Sequence, residues 1–342
     1  MEKITMLTIL CIGWFQKDKH MAGLAKSFEQ LDHKVIRVYI EGYPRESLVP
    51  IDYRYADDHG NDPNYRLVVE KKKRFRIREI EELYPNIDVI CVQQSDFFLD
   101  TTDCKHPIFY YHHDLVRHAF PLGDIVGYYY AFDGGLAEYY WARPEYRNTT
   151  YQRLVPYGAD PENFPDGKNP NRSIPFGFCG AISEGHNNEF KSVFMKDIYK
   201  NRKRFLAYCH LYHQMQVEDR LWGPNMFQFY LDHIKDYFLT INIPGNWGKY
   251  NQRQVEHLLA GNLLLQWYYP ELETMGYRDK VNCLFFKNEE DIDNQLEWVH
   301  SNPDYAEKVR LNGITFAREN HTWAHRAMIF LDDMIRYCEG KQ

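Results

Sequence analysis

Continuous apolar runs and helix-spaced apolar positions take turns along the chain, beginning near the N-terminus. Ile4 to Ile12 is an unbroken apolar run, the pattern of a strand buried on both faces of a parallel sheet. Gly13 opens a loop, and His20 to Leu31 then places Met21, Leu24, Ala25 and Phe28 at helical spacing. Lys34 to Ile40 reads as a second strand. Strand, helix, strand in that order predicts a parallel sheet with right-handed crossovers. Residues 43 to 66 are polar and turn-rich and read as a long surface excursion. A helix over Arg74–Tyr84 follows, then strands at Asp88–Gln93, Pro107–Tyr111 and Val126–Phe132 and a helix at Leu136–Trp141.

Periodicity stops between Val155 and Asn169, where Pro, Gly and Asn accumulate as in a linker. A second alternation begins beyond it. Strands are expected at Ile174–Cys179, Tyr237–Ile243, Leu263–Gln266 and Asn282–Phe286. Helices are expected at Glu189–Arg202, Gln228–Tyr237, Gln252–Ala260, Glu290–Ser301, Tyr305–Asn320 and Trp323–Cys338. The chain is thus predicted to be α/β, with two doubly wound domains. The first covers 1–155 and the second 173–320, joined by a linker over 156–172 and followed by a terminal helix over 321–342. Two such domains leave a cleft where the carboxyl ends of their strands face each other, and ligands bind in such crevices.

The length of 342 residues agrees with two domains, since single cores stop growing beyond roughly 250–300 residues. A formal net charge of -7 argues against a dedicated nucleic-acid partner. The one dense basic run, Glu70 to Arg78, reads as a solvated helix face. The seven cysteines show no CxxC spacing and sit in apolar runs, as small buried hydrophobes in a reducing compartment do. The N-terminal apolar run is too short to span a bilayer and no signal-peptide pattern accompanies it, so a cytoplasmic protein is expected.

The densest chemistry lies after Tyr237. A strand runs into Pro244-Gly245-Asn246-Trp247-Gly248-Lys249-Tyr250, then into a helix carrying Arg253 and Glu256, which Gly261 stops. Glycines let backbone approach phosphates, and a helix start offers free N–H groups to a nucleotide diphosphate. Arg253 and Glu256 share a helix face, while Val255, Leu258 and Leu259 point to the core. A carboxylate there can accept both hydroxyls of a ribose. The rival reading is a surface ion pair between the two. In the first domain, two loops follow strands: Gly13-Trp14-Phe15-Gln16 and His112-His113-Asp114. His113 or Asp114 can serve as general base toward an acceptor hydroxyl if the anomeric centre inverts, and His113 can position donor or acceptor if it is retained. The alternative is a histidine that only hydrogen-bonds its surroundings. His112, His113, Asp114 and His118 cluster locally, as do His210 with His213 and His321 with His325, but a metal needs further ligands from elsewhere. Asp291-Ile292-Asp293 reads as an acidic helix start. No metal site is expected.

The run Arg253-Gln254-Val255-Glu256-His257-Leu258-Leu259-Ala260-Gly261-Asn262-Leu263-Leu264-Leu265 resembles the R-x-x-E-x-x-x-x-G-x-x-L core of GT-B glycosyltransferases. It is closest to the spore-maturation glycosyltransferase-like branch of the broad family-4-type superfamily. Val155 to Phe164 is similar to that family's linker, Phe178-Cys179-Gly180 to its first donor-domain turn, and Gly313 to Arg326 to its closing signature. The resemblance covers about 151–330 and is fainter before that. It implies a GT-B fold of two Rossmann-like domains facing across a cleft, with the terminal helix crossing back. It also implies transfer of a sugar from a UDP- or GDP-linked donor to a glycan or other hydroxyl-bearing acceptor, with neither metal nor cofactor. Glu256 would bind the donor ribose and Gly180 would approach the phosphates. Gly248, Lys249, Tyr250 and Asn251 would line the sugar and pyrophosphate region, with Arg253 meeting phosphate charge. Gly13 and Trp14 would face the acceptor, and Tyr157 and Gly158 would form a hinge. Two departures stand out. The glutamate expected eight residues before Glu256 is Gly248, and the usual Arg and Lys are missing from Ala181 to Phe190. A nucleotide-sugar epimerase or hydrolase and a non-catalytic nucleotide or glycan-binding module are the alternatives.

Overall fold

The computed structural model of the protein describes residues 6–13, 20–39, 65–67, 75–93, 99–112, 125–131, 149–165, 167, 171–180, 193–219, 226–243 and 250–340. The chain divides into two compact units, Met1–Gly158 with Trp323–Gln342, and Ala159–Thr322.

The first unit is built on strands β1 (Thr8–Gly13), β2 (Lys34–Tyr39), β3 (Tyr65–Leu67), β4 (Phe75–Arg76), β5 (Val89–Gln93), β6 (Leu99–Asp100), β7 (Ile108–His112), β8 (Gly127–Tyr130) and β9 (Tyr151–Leu154). Its main sheet runs β3-β2-β1-β5-β7-β8-β9 with every pair parallel, and β4 and β6 pair separately. β1, β5 and β7 are buried on both faces, which is why they read as unbroken apolar runs. One face, with Cys11, Cys91, Phe109, Tyr111 and Tyr129, packs against the His20–Gln30 helix and the terminal helix, Trp323–Cys338. Gly23 lets these two helices meet, because a Cβ there would strike the Trp323 ring.

The terminal helix is fixed by a buried charge. Asp333 is wholly buried, and its carboxylate accepts from the Tyr129 hydroxyl at 2.9 Å and from Arg153 Nε and Nη2 at 2.7 and 2.6 Å. Arg326 ties the same helix to the end of the unit, donating to the carbonyls of Pro156 at 2.8 Å and Tyr157 at 3.4 Å.

The second unit holds β10 (Ile174–Gly180), β11 (Gln216–Asp219), β12 (Tyr237–Asn242), β13 (Leu263–Trp267) and β14 (Leu284–Phe286) in the parallel order β11-β10-β12-β13-β14. Helices Val193–His213, Met226–Ile234, Arg253–Leu259, Glu289–Ser301 and Pro303–Asn320 accompany the sheet. Asn288 caps the Glu289 helix by accepting from Asp291 N–H, and Asp293 accepts from Tyr208 and pairs with His213, so this acidic stretch is a helix start as expected.

Three strands of the two main sheets escape the periodicity: Tyr151–Leu154, Gln216–Asp219 and Tyr65–Leu67. All three are edge strands. Tyr151–Leu154 has no fully buried residue, so it carries no apolar run to read. The expected Arg74–Tyr84 helix is corrected to strand β4 followed by a five-residue helix, Ile77–Glu81. Of the described end of the basic run, Phe75–Arg76 is strand, while Arg78 lies exposed on the short helix and pairs with Glu82 at 3.1 Å, a solvated helix face as expected. The Leu136–Trp141 segment lies outside the described residues.

His257 and Asn262 lock the second unit. The buried His257 ring meets Asn262 Oδ1 at 3.0 Å, and Asn262 donates to the carbonyls of Ile234 at 2.8 Å and Tyr237 at 2.5 Å. Burial pulls the His257 pKa down to about 3. The unfolded chain therefore binds this proton below about pH 6.5, while the folded chain refuses it until near pH 3. Stability contributed by His257 is present above pH 6.5 and is lost as pH falls toward 3. The slope of unfolding free energy between pH 6.5 and 4.5, from urea titrations, is expected to be shallower in His257→Gln than in the wild type. Asp333→Ala is expected to cost about 2–3 kcal/mol in the same assay at pH 7. That is below the ~3–5 kcal/mol of a wholly buried pair, because the Arg153 side chain is 43% exposed and water replaces its partner.

Candidate functional site

In each unit the chain reverses its direction of travel across the sheet at one point. In the first unit this falls between β1 and β5, and in the second between β10 and β12. The carboxyl ends of strands on either side of such a reversal form a ready crevice for a ligand.

In the second unit those ends are Gly180 and Asn242. Arg253, at the start of its helix, lies directly on Gly180: a Cβ there would collide with Arg253 Nη1. Arg253 Cζ stands 5.4 Å from the centroid of the Phe178 ring, and Arg202 Cζ stands 5.7 Å from the same ring. Two guanidinium groups thus share one aromatic ring at the end of β10. Arg253 keeps part of its surface open, yet its surroundings are dense enough that burial lowers its pKa, opposed by Tyr230, Glu256 and Cys179.

Glu256 follows one turn later and is only 5% exposed. Among the described residues no ion pair joins it to Arg253, whereas pairs such as Arg310–Glu307 at 2.7 Å do form in this unit. The surface ion pair is thereby excluded. Tyr230, from the Met226–Ile234 helix, stands beside this carboxylate with its ring 6.0 Å from His257. Burial raises the Tyr230 pKa well above its ordinary value, with the Glu256 charge adding to the effect.

The Arg253–Leu259 helix differs from expectation in two ways. First, it is buried all round: Gln254, Glu256 and His257 are covered as fully as Val255, Leu258 and Leu259. Second, three of its opening amides are already bonded. Gln254 N–H bonds to the Asn251 carbonyl, and Val255 and Glu256 N–H both bond to the Gln252 carbonyl. These three amides are not open to a ligand.

The approach to the helix is built by Tyr250 and Asn251. Tyr250 packs edge-on to Tyr269 with centroids 5.6 Å apart, and Gln254 Nε2 donates to the Tyr269 hydroxyl at 2.5 Å. Asn251 Nδ2 donates to the Ile243 carbonyl at 3.4 Å, and its Oδ1 is buried without a partner. Asn242 Nδ2 donates to Gln266 Oε1 at 2.7 Å, and its Oδ1 is likewise unmatched. Buried acceptors of this kind cost about 1–3 kcal/mol each unless a ligand or water reaches them.

The helix is anchored at its other end. Gly261 has φ +80°, and a Cβ there would drive into the Gly167 carbonyl. Arg172 Nη2 donates to the carbonyls of Gly167 at 2.9 Å and Ala260 at 2.8 Å. Arg310 Nη1 donates to those of Gly167 at 3.0 Å and Gly261 at 2.7 Å.

In the first unit, Gly13 ends β1 against Gln93, which ends β5. A Cβ on Gly13 would stand 2.9 Å from Gln93 Cβ. Gln93 Oε1 accepts from Met21 N–H at 3.1 Å, and its buried Nε2 has no partner. His112, expected in a loop, instead closes β7, where its buried ring meets the Tyr128 hydroxyl at 2.7 Å. Tyr157 lies 4.7 Å from the His20 ring, and Gly158 is the last residue of the unit before the crossing.

Gly180, Tyr250, Asn251, Arg253 and Glu256 are therefore brought to the same end of the second sheet. Gly248, Lys249, Trp14, His113 and Asp114 lie outside the described residues. Arg202, Tyr230, Asn242 and Gln93 were not singled out from sequence, and Phe178 only as part of the turn that ends at Gly180. For Asn242 and Gln93 a signal existed, a polar residue at the carboxyl end of a buried strand. Among the described residues no group of three His, Cys, Asp or Glu side chains converges as a metal's ligand set, and no helix is long and apolar enough to cross a membrane.

Residues 191–332 match the family model described as Glycosyl transferase-like. A comparison of the sequence with curated proteins finds no match. Solved structures similar to this chain include a glycosyltransferase from Rickettsia africae ESF-5, with 10% identity, a TM-score of 0.58, and coverage of 98% of this chain and 100% of that one. Sucrose-phosphate synthase from Thermosynechococcus elongatus shares 11% identity at a TM-score of 0.55, with the same coverage. HepE of Anabaena, solved in complex with UDP-glucose, shares 9% identity at a TM-score of 0.56, again over 98% and 100% of the two chains. The fold of this chain, two parallel-sheet α/β domains, is that of the GT-B glycosyltransferases.

Proposed function

We propose that the protein is a glycosyltransferase moving a sugar from a nucleotide-diphosphate donor to an acceptor hydroxyl. One observation carries this reading: at the strand reversal of the second unit, a guanidinium lies on Gly180 with a buried, separately held carboxylate one turn along the same helix. A cation without a carboxylate partner suits a diphosphate, and an acceptor-only carboxylate suits two vicinal hydroxyls. In this reading Glu256 grips the donor ribose. Arg253 stabilises the departing diphosphate, where a preorganised charge acts more strongly on the transition state than on the bound donor. Gly248, Lys249, Tyr250 and Asn251 hold the sugar and pyrophosphate.

His113 or Asp114 takes the acceptor proton in an inverting reaction, and the first unit, at Gly13 and Trp14, receives a glycan or other hydroxyl-bearing acceptor. Tyr157 and Gly158 serve as hinge. The complex of HepE with UDP-glucose favours a UDP-linked donor over a GDP-linked one. The chemistry asked of these residues is positioning and charge stabilisation, so we expect no cofactor and no metal. The Arg253 to Leu265 run supports assignment to the spore-maturation glycosyltransferase-like branch. The free thiols of all seven cysteines support a reducing, cytoplasmic setting.

Thermal denaturation with UDP, GDP and their sugar conjugates, in buffer containing EDTA, tests the site. A ligand at 100 times its dissociation constant is expected to stabilise the wild type by about 2.7 kcal/mol. Glu256→Ala is expected to lose most of that shift relative to its own ligand-free midpoint. An unchanged shift in this variant would remove Glu256 from the site. Turnover of the donor without any acceptor would replace transfer by hydrolysis or epimerisation.

A further inference from the structure

Tyr230 is the polar group closest to the proposed ribose site that the reading above leaves without a task. Its hydroxyl is buried and closes no hydrogen bond of proper length and angle, while the Glu256 carboxylate acts on it through its charge and a weak hydrogen-bonding contact, and Arg253 and Cys179 also act on it. The ring is held from two sides, 6.4 Å from Phe227 in a stacked arrangement and 6.0 Å from His257 edge-on. A buried unpaired hydroxyl costs stability, while phenylalanine of nearly the same shape would remove the cost. Packing therefore explains the ring and not the oxygen.

The chemistry of the neighbouring carboxylate supplies the missing role. An ionised glutamate is acceptor-only, so ribose hydroxyls bound to Glu256 must spend their protons on it. Their oxygens then keep lone pairs that require a donor from elsewhere. The Tyr230 O–H is such a donor, held beside the same carboxylate, and its raised pKa keeps it protonated at any working pH.

We propose that Tyr230 is a donor-site residue whose hydroxyl donates to a ribose oxygen held by Glu256. The proposal rests on the reading of Glu256 as the ribose ligand. It gives the phenol opposite effects with and without nucleotide, which a structural tyrosine would not show. In Tyr230→Phe the ligand-free protein is expected to melt at the same temperature or slightly higher, because an unmatched hydroxyl is gone. The same variant is expected to bind UDP about tenfold more weakly by calorimetry.

Uridine, which keeps the ribose and lacks the phosphates, should lose affinity by the same factor. Arg253→Gln should weaken UDP but leave uridine unchanged. If GDP rather than UDP stabilises the wild type, GDP and guanosine replace the pair. A lower melting temperature of ligand-free Tyr230→Phe, an unchanged affinity for UDP, or a loss confined to UDP with uridine unaffected would each overturn the proposal. If the wild type binds neither nucleotide, the failure belongs to the glycosyltransferase reading itself.

Discussion

The arrangement at the end of the second sheet depends on one backbone crossing. Gly261 and Gly167 approach so closely that neither admits a side chain: a Cβ on Gly261 would drive into the Gly167 carbonyl, and one on Gly167 into that of Leu259. This contact holds the carboxyl end of a seven-residue helix that has no side-chain cap at its start. A helix this short is not stable alone, since nucleation is unfavourable and only a few bonds follow. Burial on all sides and the carbonyl clamps of Arg172 and Arg310 supply what helix formation does not. Arg253 and Glu256 inherit their fixed positions from that crossing. Gly261, expected only to stop the helix, is also what lets it be anchored.

The distribution of charge follows from the same burial. Arg310 is fully covered but meets two carbonyls and Glu307, so its charge is matched within the fold. Asp333 in the first unit is matched in the same way by Arg153 and Tyr129. Arg253 is different. Its company is an aromatic face, a glycine and a carboxylate beyond ion-pair reach. A buried or half-buried cation left in that state is costly, and an arriving anion offsets the cost. The fold therefore separates charges matched by ion pairs and carbonyls from one that meets no carboxylate within ion-pair reach.

The legibility of all this in the sequence varied with burial. Strands buried on both faces, such as Thr8–Gly13 and Leu263–Trp267, announce themselves as apolar runs. The edge strand Tyr151–Leu154 does not, because none of its residues is buried and no apolar run is needed. The pairing of Gly180 with Arg253 was legible only as two parts of a resemblance. Their contact joins positions more than seventy residues apart, and no local spacing encodes it. Tyr230 and Arg202 were invisible for a related reason. Each lies on a helix that packs on the sheet, and only the fold reveals which strand end it meets.

The departures from the resemblance bear on the charge at this end of the second sheet. With Gly248 in place of a glutamate and no Arg or Lys over Ala181 to Phe190, two of the charged contacts implied by the resemblance cannot be made at their usual positions. Within the second unit, Arg202 stands on the same Phe178 ring as Arg253, from a helix that begins thirteen positions beyond Gly180. A positive charge at that place acts on the same end of β10 as one in the loop would, since at short range and low dielectric it is distance that sets the interaction, whichever segment supplies the group. The amides of Gln254, Val255 and Glu256 are spent on their own turn. The end of β10 thus carries two guanidinium groups, Arg202 and Arg253, with the buried Glu256 one turn beyond the second, while position 248 holds a glycine and no carboxylate.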